Sequence, residues 1–243
     1  MTKPKEKRNY ALDHRLRLKV DDLTHHVHNY DLDLKSNHIY LMGVDRGYEL
    51  ECVESTSEPG VDYAMANRFI RNFNLCMRVN PNKPILIHSK TCGGEWIEGM
   101  AIYDTIRSCP WPVTVLTYTH ARSMSSIIAQ AANKHVMMPH SYFLFHDGTE
   151  TIDGTTKQVR EAVKFSKRCT ADMLDIYVER MIKKGILSHK TPKQIKTWLT
   201  GQMDKKEDVY LSASEAVKYG LADEVFDYNW KNLTVYSPEQ LAR

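Results

Sequence analysis

Between Thr114 and His146, TVLTYTHARSMSSIIAQAANKHVMMPHSYFLFH, lie the residues of this chain best placed to do chemistry. An apolar, β-branched run from Val113 to Tyr118 meets a short polar corner, and the corner opens into a helical pattern near Ser123. A second strand-like run, Tyr142 to Phe145, then delivers His146. A serine at a strand-to-helix corner followed by a histidine at a strand end is how several hydrolases mount a nucleophile and its base. A hydroxyl attacks a carbonyl well only when a base within hydrogen-bond reach takes its proton. The base needs an acid to orient it, and the oxyanion that forms needs two donors. Gly93 offers a backbone N–H with no side chain in the way, and Met124 offers one at the start of a helix, whose end favours negative charge. The plainer reading stands beside this one. Serine is a common helix N-cap, and His146 is one of eleven histidines, any of which can be a satisfied core residue. Cys92 beside the glycine pair invites a thiol reading, for which His146 is again the only base in view.

The elements that must position these residues follow from periodicity and punctuation. Asn37 to Gly43 reads as a strand closed by glycine, and Asp45 to Pro59 as a turn-rich acidic surface loop. Val61, Met65, Phe69, Phe73 and Cys76 recur every three or four residues and predict an amphipathic helix stopped by Asn80–Pro84. Pro84 to His88 predicts a short buried strand. The Cys92-Gly93-Gly94 corner leads to a helix over Glu95 to Ser108, which Cys109-Pro-Trp-Pro112 breaks. After Asp147-Gly148, a turn signal, a long helix is expected from Thr156 to Lys184, ended by Gly185, and a shorter one over Thr191 to Leu199. Asp208 to Leu211 reads as a strand, Ser212-Ala-Ser-Glu215 as a capping box opening a helix capped by Gly220, and Ala222 to Phe226 as a last strand. Strands alternating with helices predict an α/β fold with a mainly parallel sheet covered by helices. Ligands and chemistry usually sit on loops leaving the carboxyl ends of such strands, where both Gly93-Gly94 and Ser123 fall.

Composition bounds the rest. A chain of 243 residues, 42% hydrophobic and 26% charged, can bury a sizeable core as one large domain or two small ones. A formal charge of +3 makes no case for nucleic-acid binding. Basic residues cluster at the front (Lys3, Lys5, Lys7, Arg8, Arg15, Arg17, Lys19), where a solvated tail is expected. The five cysteines, Cys52, Cys76, Cys92, Cys109 and Cys169, form no CxxC pair, so neither a zinc site nor a redox motif is expected. No signal-peptide pattern and no apolar run near ~18 residues is present, so a cytoplasmic chain without a membrane partner is expected.

Four ordered motifs carry a resemblance. Gly93-Gly94 followed by Met100 to Ile106 (MAIYDTI), Ser123-Met124, Pro139 to His146 (PHSYFLFH), and Asp204 to Asp223 (DKKEDVYLSASEAVKYGLAD) are similar, in register from about Asn37 to Phe226, to the proteolytic subunit of the Clp protease family. The resemblance implies a ClpP-like, crotonase-type fold for residues 36–243, with a protruding helical handle over about 150–203 behind a polar, partly basic segment 1–35. It implies a serine endopeptidase in which Ser123, His146 and Asp208 are the catalytic triad and the amides of Gly93 and Met124 form the oxyanion hole, with no cofactor and no metal. It also implies polypeptide substrates, assembly into two stacked heptameric rings, and an AAA+ unfoldase of ClpX, ClpA or ClpC type as partner.

The chain departs from the family pattern at several places. Thr91-Cys92 replaces Ser-Pro before the glycines, His120 and Arg122 replace small residues, Ser125 replaces glycine, and Asp147-Gly148 replaces Gln-Pro after the histidine. Two alternatives accommodate them: a divergent, virus-type processing protease acting without an ATPase, and a catalytically impaired ring subunit.

Overall fold

The structure, a computed structural model, describes residues 22–42, 58–149 and 151–241. The basic residues up to Lys19, Cys52 and most of the loop expected from Asp45 to Pro59 lie outside the described residues.

An eight-stranded sheet organises the described chain. In chain order its strands are β1 (Leu32–Asp33), β2 (His38–Met42), β3 (Ile85–Thr91), β4 (Val113–Arg122), β5 (Lys134–Met137), β6 (Tyr142–Phe145), β7 (Val209–Ser212) and β8 (Glu224–Val225). The spatial order β1-β2-β3-β4-β5-β8 is parallel except at β1; β6 joins β4 in parallel, and β7 closes on β6 antiparallel. Helix α1 (Tyr63–Val79) starts at Asp62, whose carboxylate accepts the Met65 N–H at 2.8 Å, and buries the stripe Met65, Phe69, Phe73, Cys76. Helix α2 (Trp96–Arg107) and the short α3 (Met124–Gln130) follow β3 and β4. A long α4 (Thr156–Lys183), α5 (Pro192–Lys206) and α6 (Ala213–Tyr219) each begin with a capping box, closed by Thr155, Thr191 and Ser212.

Alternation along the strands divides the core. Ile85 and Ile87 of β3, with Val113 and Val115 of β4, face the large cluster under the helices. Leu86 and Leu116 point the other way and join Val136, Phe226 and Leu233 beneath a 3₁₀ turn at Trp230–Thr234. The fold is therefore a mainly parallel α/β structure.

Several boundaries differ from the expectation. The polar corner proposed between Tyr118 and Ser123 does not exist: β4 continues to Arg122, because β6 supplies a new neighbour where β5 ends. Strand β5 was invisible to hydropathy because it begins Lys134-His135. Lys134 is only 3% exposed, yet its ammonium is satisfied by Glu224 at 2.9 Å and by the carbonyl oxygens of Asn232 and Val235. The short helix after Thr191 runs on to Lys206, two turns past Leu199, since Met203 also packs in the core. The last strand shrinks from Ala222–Phe226 to Glu224–Val225, and residues 22–30, in the segment that reads only as polar, are helical.

Candidate active site

Strand register alone brings the three sequence-selected side chains together. In the parallel β4–β6 pair, Arg122 lies opposite Leu144, and the next amide, Ser123 N–H, donates to Leu144 O at 3.1 Å. In the antiparallel β6–β7 pair, Phe145 lies opposite Val209, so the residues just beyond, His146 and Asp208, face each other. His146 Nε2 is 2.8 Å from Ser123 Oγ and its Nδ1 is 3.1 Å from Asp208 Oδ1. A carboxylate only accepts, so Nδ1 carries the proton and Nε2 is left to accept from the serine hydroxyl. The His146 side chain is 24% exposed and that of Asp208 47%, so Asp208 keeps one flank open to solvent.

Ser123 does not behave as a helix cap. Its hydroxyl makes no capping bond to α3 and points to His146 instead. Its backbone sits at φ 52°, ψ −128°, a region that L-residues avoid and that costs about 1–3 kcal/mol. The turn is held by its neighbours. The buried Ser125 hydroxyl donates to Arg122 O and accepts from Arg122 N–H, both at 2.8 Å. Ser126 Oγ donates to Ser123 O at 2.6 Å. Ser125 thus braces the corner from behind and stays out of the space in front of Ser123. Arg122 turns away as well, its Nε–H donating to Cys92 O at 3.2 Å. His120 Nε2 lies 2.8 Å from Glu58 Oε2; burial lowers its pKa, opposed by the Glu58 charge.

The glycine corner packs directly on this turn. A Cβ on Gly93, at φ 98°, would stand 2.7 Å from Ser123 Cβ and 2.9 Å from Met124 N, so only glycine lets the two chains approach this closely. Gly94 forms a parallel bridge to Val61, in which Val61 N–H donates to Gly93 O and Glu95 N–H to Val61 O. Because the peptide is trans, the Gly94 N–H points opposite to Gly93 O, away from Val61. Of the two glycines, Gly94 lines the cavity in front of Ser123, and Gly93 lies behind it.

That cavity measures about 550 Å³. Trp96, Met124, Ile127, Cys169 and Met173 give it an apolar wall, while Glu95 and Asp147 sit at its exposed rim. The Cys92 thiol is not part of it. It donates to Glu58 O at 3.4 Å, and the one histidine it would need is engaged by Ser123. Among the described residues no helix is long and apolar enough to cross a membrane, and no group of three or more His, Cys, Asp or Glu side chains is placed to hold a metal ion. Tyr177 and Ser126 carried no local signal in the sequence, because each reaches the site through a contact far along the chain; Gly94 was in view as half of the glycine pair, but the direction of its N–H depends on the bridge to Val61.

Comparison with known proteins gives this arrangement its setting. The family model described as Clp protease matches residues 55–229. An ATP-dependent Clp protease proteolytic subunit from Deinococcus radiodurans is 30% identical over 71% of this chain and 79% of its own length. The ATP-dependent Clp protease proteolytic subunit 2 of Thermobifida fusca is 29% identical over 68% and 76% of the two chains. Subunit 3 of a Synechococcus strain is 27% identical over 69% and 79%. A match spanning most of the sheet and every residue of the Ser123–His146–Asp208 run, together with the parallel α/β architecture, leads to one assignment: the chain belongs to the Clp protease family of serine endopeptidases.

Proposed function

We propose that this chain is a proteolytic subunit that cleaves unfolded polypeptides with Ser123 as nucleophile, His146 as general base and acid, and Asp208 as the group that orients the imidazole. The observation that carries the reading is the continuous run of hydrogen bonds, 2.8 Å from Ser123 Oγ to His146 and 3.1 Å from His146 to Asp208, at the mouth of an apolar cavity.

Attack of Ser123 Oγ on a peptide carbonyl transfers its proton to His146 Nε2, and the charge that appears on the imidazolium is stabilised by Asp208. The oxyanion is held by the N–H of Met124, unpaired at the start of α3, and by the peptide of the glycine corner. The resemblance pointed to the Gly93 amide for the second donor; the Gly94 N–H, turned away from Val61 by its trans peptide, is the better placed of the two, with Gly93 needed for close approach. His146 then returns the proton to the leaving amine. In the second half-reaction a water gives its proton to His146 as it attacks the acyl-enzyme; the ester bond to Ser123 Oγ then breaks, His146 returns the proton to that oxygen, and the peptide acid is released. The cavity wall of Trp96, Met124, Ile127 and Met173 suits an apolar side chain on the acyl side of the bond.

As a subunit of this kind the chain would enclose its sites in two stacked heptameric rings, with α4 and α5 as the helical handle and an AAA+ unfoldase delivering substrate. One experiment tests both levels. A fluorophosphonate probe should label Ser123 in the wild-type assembly and not in Ser123→Ala, while light scattering on the same sample gives the assembly mass. A wild-type chain left unlabelled refutes the nucleophile assignment, and an active monomer refutes the chamber. Degradation of a folded substrate, with and without unfoldase and ATP, separates the ATPase-fed subunit from a stand-alone processing protease.

A further inference from the structure

The nucleophile turn is tied to the long helix α4 by a buried pair of hydroxyls. Ser126 Oγ lies 2.6 Å from Ser123 O and 2.7 Å from the Tyr177 hydroxyl. A carbonyl can only accept, so the single proton of Ser126 goes to Ser123 O. The Tyr177 proton must then go to Ser126 Oγ. The order Tyr177 O–H to Ser126 O–H to Ser123 C=O is thus set by donor count, and each bond polarises the next in a dry setting. Tyr177 is 0% exposed, and burial pushes its pKa up, which keeps the phenol a donor.

Two further contacts widen the reach of this one side chain. Its ring packs at 5.9 Å against both Phe143 and Phe145, the inward-facing residues of β6, the strand that delivers His146. On α4, Ser166, Cys169, Thr170 and Met173 line the substrate cavity, and Tyr177 is the next residue along that same helical stripe. A displacement of α4 would therefore change the cavity wall, the seat of the base strand and the hydrogen bond on the nucleophile's own carbonyl together.

We propose that Tyr177 is a positioning residue of the nucleophile turn, through which the placement of α4 sets the geometry of Ser123. The proposal rests on the reading of Ser123 as nucleophile. The strained backbone at Ser123 gives the link its purpose: a residue in an avoided conformation holds only while its surroundings over-determine it, and the carbonyl of that residue is the atom the relay grips.

The test uses the assembled protein carrying Tyr177→Phe, Ser126→Ala, and both. The readouts are the second-order rate of Ser123 labelling by a fluorophosphonate, kcat and KM on a short fluorogenic peptide, and the melting temperature. Tyr177→Phe removes one hydroxyl and should slow labelling and lower kcat by about tenfold, with KM within about twofold. Ser126→Ala should slow labelling further and lower the melting temperature, because the buried Tyr177 hydroxyl is left without an acceptor. In the double variant the melting temperature should recover while labelling stays slow, an outcome a merely structural tyrosine does not give. Labelling of Tyr177→Phe at the wild-type rate, or recovery of rate together with stability in the double variant, overturns the proposal. A wild-type protein that is not labelled at all removes the Ser123 reading, and this coupling with it.

Discussion

The backbone of Ser123 allows a prediction in which stability runs against the usual residue order. At φ 52°, ψ −128° a serine or alanine is held in a region open in practice only to glycine. The cost is about 1–3 kcal/mol, with a midpoint near ~2. Replacing Ser123 by Ala and by Gly removes the hydroxyl, and with it the bond to His146, in both variants. The two then differ in strain, which only glycine relieves, and in chain entropy, where glycine is worse by about 0.4–1 kcal/mol. Taking ~2 less ~0.7 leaves Ser123→Gly more stable than Ser123→Ala by roughly 1.3 kcal/mol, or about 3–5 °C in Tm for a chain of this size. Thermal unfolding of both variants in the same assembly state measures this, with probe labelling confirming that both are inactive. At an ordinary exposed site alanine wins by a few tenths of a kcal/mol or more. If Ser123→Ala melts at or above Ser123→Gly, the turn is not strained, and its neighbours are not what holds the nucleophile in place.

Three other outcomes are expected. Gly93→Ala puts a Cβ 2.7 Å from Ser123 Cβ and 2.8 Å from Arg122 O at a positive φ; labelling of Ser123 should fall on the order of 10²–10³-fold while circular dichroism stays that of a folded α/β protein. Asp208→Asn should lower kcat by about 10⁴ at pH 7, because the amide can present an N–H to the imidazole and favour the wrong tautomer; a loss under about tenfold in a peptidase assay would remove Asp208 from the mechanism. Acid should destabilise the fold through His88, which burial, aided by the neighbouring His38, holds down at about 4. Between ~6.5 and about 4 the unfolded chain takes up a proton that the folded one does not, so stability falls across that window by ~3 kcal/mol and is level below it. The fully buried His135, pushed down to about 3 by burial, adds a loss of the same sign. Denaturant titrations from pH 7 to 4 should show the slope, and His88→Phe should flatten part of it.

How much was legible in the sequence depended on whether the cause was local. The amphipathic stripe of α1, the capping box at Ser212 and the glycine after α4 are each written within a few residues, and the structure places them within a residue or two of where periodicity put them. Strand β5 was missed for the opposite reason. Lys134 reads as a surface residue until Glu224 and two carbonyls from residues 232 and 235 arrive to satisfy it, and nothing near position 134 announces them. The polar corner expected before Ser123 failed likewise, since His120 to Arg122 pair as a strand with β6 on one side and, at Ala121, with Thr91 of β3 on the other.

The same division runs through the site. By itself the sequence determined which groups were on offer: a serine and a histidine at element ends, a glycine pair upstream, and four motifs in the order of a known family, enough to name Asp208. Composition and order carry chemical identity, and that much needs no coordinates. What tertiary structure decided is distance and direction. Two strand pairings, β4 with β6 and β6 with β7, set Ser123, His146 and Asp208 side by side, although the last two are separated by the whole of α4 and α5. A trans peptide tied to Val61 decided which glycine amide faces the cavity, and a tyrosine far along α4 closed the hydrogen-bond chain behind the nucleophile. Hydrogen bonds and strand register act over ångströms between residues remote in the chain, so their consequences exist only once the chain has folded.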